Sequence, residues 1–194
     1  MAKKKGVNGM SKITFKQVLK LLYQARAGRV TQENLGRFLL NPDICPGYTV
    51  SQDYTVTVDY GKTVEEMVAS GRYTIVNGNI IKHKFPIKEN GMVQVTTVLV
   101  HFNLRMNTKD LLCYLNEGNL RPANSAEFLG FGTTFPEVEL EFPIVCLDPC
   151  QEVPMIGQRV LTLSAYGPLD RVLDLRNFNC DKWEEYCQFL AVRK

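Results

Sequence analysis

The stretch VQVTTVLVHF, residues 93–102, is β-branched at nearly every position and is the strongest strand signal in the chain. A helix follows it: Asn107 or Thr108 caps KDLLCYLNE, and Gly118 ends it. LRPANSAEFLGFGTTFP, residues 120–136, then reads as a turn feeding a second short helix. Asn124 or Ser125 caps that helix, and Glu127 lies in its first turn, where the helix dipole favours an acid. Phe128 and Leu129 supply a buried side, while Gly132 and Pro136 mark the exit. Beyond Pro136 the chain reads all-β in FPIVCL, RVLTLSAY, RVLDLRNF and YCQFLAVRK, with Gly and Pro between the runs. Upstream of Val93, YTVTVDY alternates as a strand does, and Thr63 and Glu66 have the spacing of a capping box. Gly71 ends that helix, and NGN at 77–79 signals a turn. Together these elements predict an α+β domain over residues 45–194, with a mostly antiparallel sheet and three short helices.

The N-terminal part differs. Residues 1–11 have no periodicity and predict a flexible basic tail. Thr14 caps a helix whose Phe15, Val18, Leu19 and Leu22 share one face. Gly28 stops it, and Thr31 caps a second helix through about Leu40. A helical hairpin over residues 12–44 results, closed by the prolines of NPDICPGY. Lys3 to Lys5, Lys12, Lys16, Lys20, Arg26, Arg29 and Arg37 concentrate here against Glu33 as the lone acid. With helix–turn–helix spacing, this is where a nucleic acid would touch. The alternative is a hairpin packed on the β-rich body with its lysines solvated. The second helix offers few base-reading side chains, namely Gln32, Asn34 and Arg37.

Composition bounds the function classes. The 194 residues suffice for one ordinary domain, and 45% hydrophobic with 22% charged residues is globular composition. A net charge of +3 is well short of a dedicated nucleic-acid binder. No apolar run reaches the roughly 18 residues of a membrane span, and MAKKKGVNGMSK has no apolar stretch behind its charges. A cytoplasmic protein without a membrane partner is expected. Its six cysteines are then reduced thiols, with Cys113 and Cys146 expected to be buried in apolar runs. The pairs Cys146–Cys150 and Cys180–Cys187 lack zinc spacing and a nearby His, so no metal and no cofactor are expected.

Chemistry is sparse. His101 lies in an apolar strand and reads as a hydrogen-bonded structural residue; His83, between lysines in IIKHKFP, reads as a solvated edge. Neither belongs to a Cys–His motif. Lys82, Lys84 and Lys88 around Phe85 form a second basic run, either a further backbone-binding surface or a charged edge strand. In PEVELEF, strand alternation puts Glu137, Glu139 and Glu141 on one face, as a solvent-facing edge or, more sharply, a metal site. Arg121 at a helix N-terminus is a candidate anion ligand, but phosphate loops carry more glycines before the helix and a Lys or Ser/Thr inside it. A structural turn is expected there. No acid, base and nucleophile can be named together, so an enzyme is not favoured.

Two resemblances add to this. SGRYTIVNGNIIKHKFP, VLVHFNLRMNT, LRPANSAEFLGFGTTFPEVELEFPIVCL and the terminal QFLAVRK resemble an uncharacterised family of small bacterial proteins. Its pattern falls here on Gly71, Tyr73, Asn77, Ile80, Phe85 and Pro86, then Leu120 to Ala123, then Phe142 to Val145 with Leu147. The likeness spans residues 53–194 and implies no activity. The order of elements from Val93 onward is similar to the C-type-lectin-like architecture, in which first and last strands pair; the disulfides and calcium-loop carboxylates of lectins are not evident, so sugar binding is not implied. The expected function is a non-enzymatic cytosolic binding module for a protein or other macromolecular partner, rather than for a small molecule; a mobile-element origin is one reading of it. Its surface would be the loops between residues 148 and 182, DPCQEVPMIGQ and YGPLDR, with Tyr166, Asp170, Arg171 and Trp183 as contacts. The alternative is a nucleic-acid-binding regulator acting through Lys12, Lys16, Lys20, Arg26, Arg29 and Arg37.

Overall fold

A computed structural model describes Val18 and residues 48–81, 85–87, 89–102, 105–149, 157–167, 170–179 and 182–194. Residues 49–194 form one compact unit. The helical hairpin expected over 12–44, with Lys12, Lys16, Lys20, Arg26, Arg29 and Arg37, lies outside the described residues except for Val18. The same holds for His83, Lys82, Lys84, Lys88, Cys150 and Cys180.

The strong strand signal becomes β4 (Met92–Phe102), flanked on both sides. β2 (Tyr54–Asp59) runs antiparallel to its first half and β9 (Gln188–Arg193) antiparallel to its second, with Val58 opposite Val93 and Val98 opposite Ala191. The described strands form a nine-stranded sheet. From β1 (Tyr48–Val50) its path runs through β4, β9, β6 (Ile144–Val145), β7 (Arg159–Ala165) and β8 (Arg171–Asn177) to β3 (Ile75–Val76). β5 (Leu120–Pro122) pairs with β9 beside this path. Only two described pairings are parallel, β6 with β9 and β3 with β8. The body is therefore α+β with a mostly antiparallel sheet.

β4 reads as a near-continuous apolar run because both faces of the sheet are buried at its centre. Val95 and Leu99 point into the main core with Leu190 and Val192 of β9 and Leu161, Leu163 and Leu173 of β7 and β8. Helices α1 (Val64–Ser70) and α3 (Ser125–Thr134) cover this side, contributing Met67, Val68, Phe128, Leu129 and Phe131. The alternate residues Val98, Val100 and Phe102 are buried on the opposite face with Phe189 and Ala191. There Phe102 lies 5.6 Å from the ring of Tyr114, on α2 (Thr108–Glu117), and 6.0 Å from that of Phe189.

The expected caps form. Thr63 and Glu66 make the capping box of α1, Asn107 caps α2, and Asn124 with Glu127 makes a second capping box on α3. Three expectations are corrected. Gly132 does not end α3, which continues to Thr134; it is a glycine because the Tyr73 hydroxyl and a Leu163 methyl fill the space a Cβ would take. PEVELEF is not a strand but a 3-10 turn at Val138–Leu140, which leaves Glu137 and Glu141 exposed and buries Glu139 against Arg171. Cys113 is exposed, because helical phase buries Leu111, Tyr114 and Leu115 and turns residue 113 outward.

Candidate functional site

One end of the sheet collects the features a site needs. β6, β8 and β9 begin there, and β4 and β7 end there, as their pairings require. The first residue of β8, Arg171, organises this end. Its Nε donates to Glu139 Oε1 at 2.7 Å, Nη1 to the Gly71 carbonyl at 2.5 Å and Nη2 to the Gly132 carbonyl at 2.6 Å. The guanidinium also lies 4.8 Å over the ring of Tyr73. One side chain thus ties the C-terminus of α1, the last turn of α3 and the 3-10 turn to the sheet. Burial pushes the Glu139 carboxyl up in pKa against the opposing pull of Arg171, and burial likewise raises the Tyr73 phenol. Tyr73 Oη and Glu139 Oε2 are buried without a hydrogen-bond partner.

Around this buried core of charge, aromatic side chains face outward. Tyr166 is 75% exposed, Tyr186 50% and Phe142 39%, with the aliphatic Leu140 beside Phe142 in sequence at 41%. Their positions follow from register. Ile144 pairs with both Leu163 and Gln188, and the Gln188 N–H donates to the Pro143 carbonyl at 2.9 Å. Phe142 and Tyr186 therefore lead into neighbouring parallel strands, while Tyr166 follows the last residue of β7 between them and β8. The Tyr166 N–H donates to the Asp170 carbonyl at 3.1 Å and closes that hairpin. At the end of β4, His101 Nε2 donates to the Glu185 carbonyl at 2.7 Å, the structural role expected of it.

Of the four partner-contact residues expected from sequence, Tyr166 and Asp170 lie exposed here, and Arg171 is mostly buried in the network just described. Trp183 is a correction: it is 2% exposed. Its indole N–H donates to Thr108 Oγ1 at 2.9 Å and its ring lies 6.0 Å from Phe189, so it lines the second core. The loop DPCQEVPMIGQ precedes β7 and YGPLDR follows it, so the two belong to opposite ends of that strand. Residues 150–156 of the first loop lie outside the described residues. Sequence reading did not name Phe142 or Tyr186 as contacts, Phe142 appearing only within the family pattern; each stands two residues before a strand.

The Arg121 end of α3 is a filled structural junction. Arg121 makes a two-point pair with Glu127, Nη1 to Oε2 at 2.8 Å and Nη2 to Oε1 at 2.6 Å, and Tyr60 donates to Oε1 at 3.1 Å. The backbone amides that would bind an external anion are taken as well, Asn124 N–H by Glu127 Oε2 at 2.7 Å and Ser125 N–H by Asp148 Oδ2 at 3.0 Å. Cys146 is fully buried, its thiol pushed well up by burial and then by Asp148, with Sγ donating to the Ala123 carbonyl at 3.4 Å. It is an inert thiol. Among the described residues no group of three or more His, Cys, Asp or Glu is placed to hold a metal ion, and no helix is long and apolar enough to cross a membrane. A cleft of about 390 Å³ lies between α2 and Phe178, with Lys109 and Cys113 on its rim.

No family model matches the chain, nor does any curated protein or solved structure.

Proposed function

We propose that the protein is a non-enzymatic binding module that recognises a macromolecular partner through the sheet end bearing Phe142, Tyr166 and Tyr186. The observation that carries this reading is the exposure of three aromatic side chains on neighbouring strand ends of one rigid sheet. Aromatic residues are enriched where proteins bind one another, because they offer large contact area for few rotatable bonds. The Arg171–Glu139 pair supports the reading further: it holds the 3-10 turn that leads to Phe142, so less ordering is left there for binding. The antiparallel pairing of β4 with β9 is in keeping with the C-type-lectin-like order of elements, and the cytoplasmic assignment rests on the sequence.

A second reading, a nucleic-acid-binding regulator, rests on the basic residues concentrated before residue 40. One experiment separates them. The full chain and its Tyr166→Ser/Tyr186→Ser variant are used to capture partners from cell extract, and both are titrated with labelled duplex DNA and single-stranded RNA at low and moderate salt. The module reading expects a captured protein that survives moderate salt and is lost in the double variant. Nucleic-acid binding that falls steeply with salt and is unchanged in the double variant supports the regulator reading instead.

A further inference from the structure

The sheet end that carries the exposed rings is also acidic. Glu137 and Glu141 flank the turn that leads to Phe142, Asp170 closes the hairpin of Tyr166, and Glu185 precedes Tyr186; all four carboxylates are exposed. The other acids at this end are neutralised locally, Glu139 by Arg171 and Glu184 by Arg105, each at 2.7 Å. Against the four exposed carboxylates, the described residues of this end offer two exposed cations, Arg72 and Lys182, which leaves acids in excess. The chain as a whole is net positive at +3, so this local excess of negative charge runs against the global balance. Each exposed ring of the end thus stands within one to four residues of an unpaired acid along the chain.

We infer that this end docks a lysine- and arginine-rich segment of a partner protein, an inference that rests on the docking reading above and specifies its partner. Complementarity of charge selects the sign of the partner: carboxylates draw a cationic chain in and repel phosphate. The rings then discriminate among cations. Lys and Arg carry apolar stems that lie along aromatic surface and end in charges that are attracted to the ring faces. An acidic rim without rings would bind any cation weakly, and rings without acids would bind any apolar surface. Nucleic acid is disfavoured at this end by the same charges.

The test uses end-labelled peptides and the full chain, read by fluorescence anisotropy. The probes are a peptide alternating Lys and Leu, a matched peptide alternating Glu and Leu, and an uncharged one alternating Ser and Leu. The Lys–Leu probe is expected to bind the wild type and the Glu–Leu probe to fail. Glu141→Lys/Asp170→Lys is expected to weaken the Lys–Leu probe roughly tenfold and to let the Glu–Leu probe bind. Glu65→Lys, in the first turn of α1 and outside this end, is expected to change neither. Equal binding of the Lys–Leu and Glu–Leu probes, binding of the Lys–Leu probe that ignores the double charge reversal, or no binding of the Lys–Leu probe overturns the inference. Binding of the Ser–Leu probe as tight as that of the Lys–Leu probe, and lost in Tyr166→Ser/Tyr186→Ser, also overturns it while leaving the aromatic docking surface in place.

Discussion

Tyr73 holds its hydroxyl against two glycines. A Cβ at Gly71 would overlap its ring, and a Cβ at Gly132 would overlap its oxygen and a methyl of Leu163. Gly71 has φ −73°, an ordinary helical value, so the requirement there is space rather than backbone freedom. The ring of Tyr73 lies on the helix end two residues before it. The hydroxyl itself is a cost, since it is buried without a partner. Tyr73→Phe is expected to be neutral or stabilising by up to about 1 kcal/mol. Gly132→Ala is expected to cost about 1–3 kcal/mol through overpacking. In the double variant part of that loss returns, because the oxygen that meets the new methyl is gone; urea unfolding of the four proteins measures the coupling.

At the scale of the element, α3 is the helix the sequence describes best. It starts where Asn124 and Glu127 cap each other, and Glu127 at the same time pairs with Arg121 and accepts from Tyr60. A carboxylate with 0% exposure is tolerated because each oxygen is met by a guanidinium nitrogen and a further donor. The arrangement leaves a mark on Tyr60, whose pKa is pushed up to about 12 by burial and then by the Glu127 charge. A raised folded-state pKa means the folded protein holds the phenolic proton more tightly than the unfolded chain. The resulting stability is fully present below the ordinary value of 10.0 and is lost as pH rises through about 12. Alkaline unfolding followed by circular dichroism is therefore expected to show a loss in this window that Tyr60→Phe diminishes. Tyrosinate absorbance is expected to place one phenol of the wild type near the upper end of the window.

At the scale of the molecule, β9 holds the sheet together. It pairs with β4 on one side and with β5 and β6 on the other, and Leu190 at its centre is fully buried. Leu190→Ala is expected to cost about 3 kcal/mol or more in global stability, seen as a lower urea midpoint with an unchanged slope. Tyr166→Ser and Tyr186→Ser, on the exposed end of the same sheet, are expected to stay within about 0.5 kcal/mol of wild type.

Local chemistry was legible without coordinates. Strand runs, the capping box at Thr63, a cap at Asn124 or Ser125, the stop at Gly118 and the α+β class all depend on residues within a turn or two of one another, so the chain order contains them. The site was only half legible. Tyr166 and Asp170 could be named because they sit in a Gly- and Pro-bearing loop, whereas Phe142 and Tyr186 lie 44 positions apart in sequence and meet one end of the sheet only through the parallel pairing of β6 with β9. Trp183, Glu139 and Arg171 carried surface expectations by composition, yet strand order brings each to a partner about 30 or more residues away, Thr108 for Trp183 and Glu139 for Arg171. The sequence by itself determined most helices and strands and most of their apolar faces, but not the 3-10 turn at Val138–Leu140 or the outward side of α2 at Cys113. Tertiary structure alone decided which charges are neutralised and which aromatic rings are left in water, because both depend on contacts between residues that chain order keeps far apart.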